Sequence, residues 1–141
     1  MLKHSSYQDN LWPYTGLTLM RFVMPARTIF SNYFSQLVIW INEQPGYRCE
    51  IDEVMRPQVL QDIYVKTGRS KKKVSFHSSG KAGDLRIFKN DKWLDKTEDY
   101  EFAGLYWESL DPLCVWGGRF GDNPATAKIE GWDGGHFQYG K

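Results

Sequence analysis

Val74-Ser75-Phe76-His77-Ser78-Ser79-Gly80-Lys81-Ala82-Gly83-Asp84-Leu85-Arg86-Ile87-Phe88 is the stretch on which the fold reading turns. It opens on serines around a histidine, passes two glycines, and ends apolar and partly β-branched. That order predicts a strand entered through a glycine-containing turn. Phe88-Lys89-Asn90-Asp91-Lys92-Trp93 follows and predicts a hairpin turn. Upstream, Arg69-Ser70-Lys71-Lys72-Lys73 reads as a solvated basic loop, with attraction to an anionic polymer as its functional alternative. Before it, Arg56 to Gly68 predicts a short helix, with Pro57 tolerated in the first turn and Gly68 at the end.

Further out, Tyr47 to Met55 reads as a strand in which Tyr47, Cys49, Ile51 and Val54 alternate imperfectly. Ala26 to Gln44 carries Ile29, Tyr33, Phe34, Leu37, Trp40 and Ile41 at helical spacing, an amphipathic helix stopped by Pro45-Gly46. On the other side, Thr97 to Asp111 predicts a helix. Thr97 is its N-cap, and Glu98 and Asp99 sit in the first turn, where the helix dipole favours acids. Cys114 to Asp122 reads as a strand ending in glycines, and Gly131 to Gly140 as a turn feeding a final strand. Residues 1–25 read as irregular, with one short apolar piece from Leu17 to Met24. Helices and short strands mixed in this order predict an α+β domain rather than a doubly wound one.

A chain of 141 residues suits one domain with one core, spanning 1–141. Hydrophobic residues at 41% and charged residues at 25% are ordinary for a soluble globular protein. Aromatics at 16% supply much buried area for so short a chain. Lys and Arg total 18 against 17 Asp and Glu, so no nucleic-acid partner is expected. Cys49 and Cys114 have no metal-ribbon spacing and read as two reduced, partly buried thiols, with a structural pair as the alternative. No apolar run approaches the ~20 residues of a membrane span. The first residues lack the apolar core of a secretory signal, so synthesis in the cytoplasm is expected. A monomer that does not insert into membranes is expected.

The histidines carry the chemistry. A catalytic zinc site needs three protein ligands, an open position for water and a nearby carboxylate to take a proton. His4 stands alone. His77 is followed after a glycine turn by Asp84, and His136 closes Asp133-Gly134-Gly135-His136. Together these supply His, Asp, His and a spare Asp, and the glycines let the chain turn sharply toward a common centre. Spacing alone leaves open a surface histidine beside a surface acid, twice over.

Ser75-Phe76-His77-Ser78-Ser79-Gly80-Lys81-Ala82-Gly83-Asp84 resembles the S-x-H-x-x-G-x-A-x-D motif of peptidase family M15. That family includes D-alanyl-D-alanine carboxypeptidases and dipeptidases and the L-alanyl-D-glutamate endopeptidases of phage endolysins. Asp133-Gly134-Gly135-His136 is similar to the family's later acid-x-x-His. Arg56, with Gln61 and Tyr64 after it, is similar to its cleft arginine. The likeness to endolysin members extends through Ile39-Trp40, Pro45-Gly46-Tyr47, Glu53 to Pro57, Leu85 to Lys89, Thr97 to Tyr100 and Cys114 to Phe120. It covers the chain from about Ile29 onward.

The resemblance implies a small antiparallel sheet with flanking helices and a zinc site in a cleft on the sheet, as in the hedgehog/DD-peptidase fold. It implies Zn2+ on His77, Asp84 and His136, Asp133 as general base, and Arg56 supporting the oxyanion. Trp116 and Trp132 are candidates for the cleft floor, with core packing expected for at least one of them, and Ser75 is a candidate for a turn cap or a ligand's hydrogen-bond partner. The implied partner is the peptide stem of bacterial peptidoglycan, cut at L-Ala-D-Glu. Release to the wall would then go through a holin-type pore. The alternatives are a D-Ala-D-Ala carboxypeptidase and a non-catalytic wall-binding or structural phage protein. Two departures from the family pattern are noted. Gly83 stands where a larger residue is usual, so looser packing is expected there. The insert Asn123 to Trp132 is long, which bears on how Asp133 and His136 approach the other ligands.

Overall fold

The computed structural model of the chain describes residues 24–121 and 131–141. His4, the expected irregular stretch up to Val23, and positions 122–130, which hold most of the insert, lie outside the described residues.

Helix α1 spans Ala26–Glu43 and buries Phe30, Phe34, Leu37 and Ile41. These positions make a single stripe at helical spacing. Phe30, absent from the expected set, is among its most buried residues, while Ile29, Tyr33 and Trp40 flank the stripe half-buried. Strand β1 (Tyr47–Glu53) follows, then helix α2 (Gln58–Lys66), with Pro57 at its cap rather than inside its first turn. The central strand β2 (Ala82–Lys89) turns back into β3 (Lys92–Trp93). Asn90 and Asp91 both have positive φ, 49° and 63°, as a two-residue type I′ hairpin requires. The expected helix from Thr97 begins as a 3₁₀ turn, Thr97–Tyr100, and continues as α3, Glu101–Leu110. Thr97 does not cap it: the cap position is Lys96, with no side-chain hydrogen bond. The short strands β4 (Cys114–Trp116) and β5 (His136–Tyr139) complete the fold.

The sheet runs β1-β2-β5-β4, with β3 attached to β2. Every strand pairing is antiparallel. Ile51 pairs with Leu85 and Glu53 with Asp84, so Asp52 is an extra residue in β1. This bulge is why the apolar alternation from Tyr47 to Val54 is imperfect. One face of the sheet, with Leu85, Ile87, Phe137 and Tyr139, packs on α1 and α3. Trp107 of α3 is fully buried at the centre and meets Phe30, Phe34 and Phe137 edge-on, with centroids 6.1–6.5 Å apart. Its indole N–H reaches the carbonyls of Val115 and Gln138, so burying it strands no polar group. Gly83 is the reverse of a loose spot, because a Cβ there would lie 2.4 Å from the Phe34 ring. Only glycine lets the helix settle that close to β2.

Strand alternation puts Asp84 and Arg86 of β2, and His136 and Gln138 of β5, on the opposite face. Asp84 and His136 are direct cross-strand partners. The described residues thus form an α+β fold: an antiparallel sheet with flanking helices, and the chemistry-bearing groups on its other face. Among them, no helix is long and apolar enough to cross a membrane. Cys49 and Cys114 are both free, and burial pushes their thiols up to about 11 and about 12, far from thiolate reactivity.

Candidate functional site

His77 enters the site from a turn rather than a strand. Ser75 and Ser78 close that turn reciprocally, each hydroxyl accepting the other's backbone N–H at 3.0 and 2.9 Å. Ser75 is therefore a turn cap, and among the described residues its side chain hydrogen-bonds only within that turn. The His77 carbonyl accepts the N–H of Gly80 at 3.0 Å and of Arg56 at 3.3 Å, which ties the turn to the segment between β1 and α2.

The imidazole Nδ1 of His77 lies 3.3 Å from the Val54 carbonyl. A carbonyl only accepts, so Nδ1 carries the proton and Nε2 presents a lone pair. His136 is oriented the same way from its other side. Gln138 Nε2 donates to the Gly140 carbonyl at 3.0 Å, which turns Gln138 Oε1 toward His136 Nε2 at 3.1 Å. His136 Nε2 must then donate, and Nδ1 is left bare. These two bare nitrogens meet Asp84. His77 Nε2 to His136 Nδ1 is 3.1 Å, His136 Nδ1 to Asp84 Oδ1 is 3.0 Å, and His77 Nε2 to Asp84 Oδ1 is 3.2 Å.

Three acceptor atoms at the corners of so small a triangle repel one another. A proton on His136 Nδ1 can serve two edges, but it leaves His77 Nε2 and Asp84 Oδ1 lone pair against lone pair. A cation at the centre satisfies all three. Tetrahedral bonds of about 2.0–2.1 Å imply ligand separations of about 3.3 Å, close to those observed. His77, Asp84 and His136 therefore form a group that could hold a metal ion, with both histidines buried. Burial works against the Asp84 charge, but the two imidazoles set against it, His136 and then His77, overcome it and hold the carboxyl at about 2. Burial likewise opposes protonating His136, but the hydrogen bond and charge of Asp84, with Asp133 behind it, raise its pKa above the ordinary 6.5.

Asp133 lies on the turn before β5. Its carbonyl accepts the His136 N–H at 3.1 Å, and the buried Trp116 indole donates to the Gly134 carbonyl at 2.7 Å. A Cβ on Gly134 would be 2.8 Å from Thr97 Cα, so this close turn requires glycine. The Asp133 carboxylate makes no hydrogen bond among the described residues. The residue's surface is open at the rim, but its carboxylate is crowded by the site, within electrostatic reach of His136, Asp84, His77 and Arg56. Loss of hydration pushes its pKa above 3.8, with Asp84 adding to the rise and the histidines and Arg56 opposing it.

Arg56 is committed more fully than its sequence position shows. Glu53 takes its Nε and Nη2 as a fork, Gln61 Oε1 accepts from Nη1 at 2.8 Å, and the guanidinium lies over the Tyr64 ring at 4.8 Å. Glu53 raises the Arg56 pKa further. Three of five N–H groups are used, and two remain. Gln61, fully buried, also donates to Ser70 Oγ at 3.0 Å and the Lys72 carbonyl at 2.6 Å, so the basic loop is tied to the arginine.

A cleft of about 300 Å³ opens from Asp84 and Asp133 along Asp52 and Arg86 to Trp93 and Trp132. Of the two tryptophans expected on its floor, Trp132 lines it and Trp116 is core. Sequence reading did not single out Glu53, Gln138 or Trp93. Each had a signal: an acid three residues before Arg56, a polar residue two after His136 on the same strand face, and an aromatic closing a hairpin.

No protein-family model matches the chain, and no curated protein matches it. Among solved structures it is similar to the L-Ala D-Glu endopeptidase ChiX of Serratia marcescens, with 21% identity over 85% of this chain and 90% of that chain and a TM-score of 0.56. At that identity the likeness establishes the shared fold.

Proposed function

We propose that this chain is a zinc peptidase of the M15 type that hydrolyses the peptide stem of bacterial peptidoglycan at L-Ala-D-Glu, in the manner of a phage or prophage endolysin. The observation that carries the proposal is the triangle of two tautomer-fixed histidines and one carboxylate with a free carboxylate at its rim. The fold shared with an L-Ala D-Glu endopeptidase, together with the motif resemblance, supplies the substrate class.

Zinc held by His77, Asp84 and His136 would supply a Lewis acid and water of lowered pKa. Asp133, free of hydrogen-bond partners among the described residues, takes the proton of the attacking water and delivers it to the leaving amine. Arg56 offers its two remaining N–H groups to the carbonyl oxygen as negative charge develops there. Because Glu53 already holds two of its N–H groups as a fork, that help comes from a guanidinium fixed in direction. Gln61 and Tyr64 hold the guanidinium in place.

The test is digestion of purified peptidoglycan, with and without a chelator and with zinc restored, followed by identification of the new termini. New N-terminal D-Glu that disappears on chelation and returns with zinc is the expected outcome. Loss of terminal D-Ala instead would make the chain a carboxypeptidase. Metal binding with no cleavage would leave a wall-binding protein on a peptidase fold.

A further inference from the structure

We infer that the cleft between Trp93 and Trp132 is a saccharide subsite, which takes the N-acetylated amino sugar that bears the stem peptide. The inference rests on the peptidase reading above and adds to it the part of the substrate that lies on the acyl side of the cut.

Trp93 and Trp132 remain 58% and 76% exposed in a chain whose Trp107 and Trp116 are fully buried. Both line the cleft that begins at Asp84. Around them the lining is polar: Thr97, and Arg86 paired to Asp52 at 3.1 Å with both side chains about half exposed. Planar apolar faces fringed by donors and acceptors suit an occupant with an apolar C–H face and a polar rim, which is the chemistry of a pyranose ring. An apolar peptide side chain would cover the exposed Arg86–Asp52 pair without offering it a polar partner, and a nucleotide or other polyanion would meet four carboxylates, Asp52, Asp84, Asp95 and Asp133, against two cations, Arg86 and Lys96. The volume of about 300 Å³ is at the low end for ligand clefts and suits one such ring.

Reach then favours one bond. An extended residue spans about 3.3–3.6 Å. In an L-Ala-D-Glu cut, one alanine and the lactyl ether separate the reacting carbonyl from the sugar, so the ring falls close to the cut. In a D-Ala-D-Ala cut, four residues intervene and the ring lies about 13 Å or more away.

The experiment compares N-acetylglucosaminyl-N-acetylmuramyl-L-Ala-D-Glu with acetyl-L-Ala-D-Glu as substrates of the zinc-loaded full chain. In parallel, the sugar-bearing peptide is titrated into the non-cleaving Asp133→Asn variant and the indole N–H resonances are followed. A lower KM for the sugar-bearing peptide, about tenfold for each well-packed aromatic contact, is expected. Trp93→Ala and Trp132→Ala should each shrink the gap between the two substrates, and Trp93→Phe should keep part of it. In the titration, the indole signals missing from those two variants should be the ones that move. Equal KM for the two peptides, or indole signals that ignore the sugar, would overturn the inference. Sugar binding without cleavage of either peptide would uphold the subsite and sink the peptidase reading.

Discussion

Gln138→Leu is expected to weaken zinc binding while leaving all three ligands in place. Gln138 is buried, and among the described site residues its side chain hydrogen-bonds His136 alone, accepting the Nε2–H at 3.1 Å. Without that acceptor, nothing keeps the proton on Nε2. The tautomer with the proton on Nδ1 would point an N–H, in place of a lone pair, at Asp84 and His77. Loss of such an orienting partner typically costs about 10–100-fold in metal affinity, or about 1.4–2.7 kcal/mol. The same substitution strands the Gly140 carbonyl and the His136 N–H, each at about 1–3 kcal/mol of folding stability. A second variant separates the two effects. Gln138→Glu keeps an acceptor for His136 but loses the donor to Gly140, so it should restore zinc affinity without restoring the melting temperature. Competition against a chromophoric chelator gives the affinity, and thermal melts of the metal-free proteins give the stability. Wild-type affinity in Gln138→Leu, or equal weakness in the Leu and Glu variants, would refute the tautomer argument.

Asp133→Asn should retain stoichiometric zinc and the wild-type melt but lose about 10²–10⁴ in turnover; zinc loss measured by elemental analysis would instead make Asp133 a ligand. Arg56→Ala should lower kcat by about 10²–10³ with a smaller change in KM, and Arg56→Lys, lacking the planar fork, should recover only part. A large fall in melting temperature with intact kinetics would make Arg56 a structural partner of Glu53. The metal-free chain should show stability bounded on both sides. The depressed Asp84 contributes above its ordinary 3.8, and that contribution is lost as pH falls toward about 2. The raised His136 contributes below 6.5, and that contribution is lost as pH climbs through its folded value. Zinc must displace the His136 proton, so zinc affinity should rise with pH over the range where the metal-free chain weakens; melts of chelated and zinc-loaded protein across pH would show the two trends cross.

The fold was legible where one physical signal acted alone. The α1 stripe follows from spacing, and the hairpin at Asn90-Asp91 follows from two residues that tolerate positive φ. It was less legible where a tertiary contact overrode the local signal. Gly83 reads as a gap in a strand but serves the close approach of Phe34, nearly fifty residues away in the chain, which no local pattern reports. Thr97 has the chemistry of a cap, yet the chain enters α3 through a 3₁₀ turn while Thr97 packs against Gly134 of the site. The bulge at Asp52 blurs the β1 alternation for a similar reason: it is a relation between two strands.

The site divides along the same line. His77, Asp84 and His136 were readable because ligand chemistry restricts the residue types and the motifs have fixed spacing. What made the three donors meet was not readable, since it depends on Asp84 and His136 falling opposite each other in β2 and β5. A one-residue slip in that register would turn Asp84 or His136 into the core. The register is held by Gly83 and Phe137, which also face each other and share the helix-packed side, so the core contact that forbids a side chain at Gly83 also aligns two ligands on the far face. The orienting groups are a step further from sequence. Val54 acts through its carbonyl, which carries no residue identity at all, and Gln138 acts only because Gly140 turns its amide. Ligands can therefore be read from residue type, whereas the lone pairs that make them ligands are set by backbone groups whose positions only the fold determines.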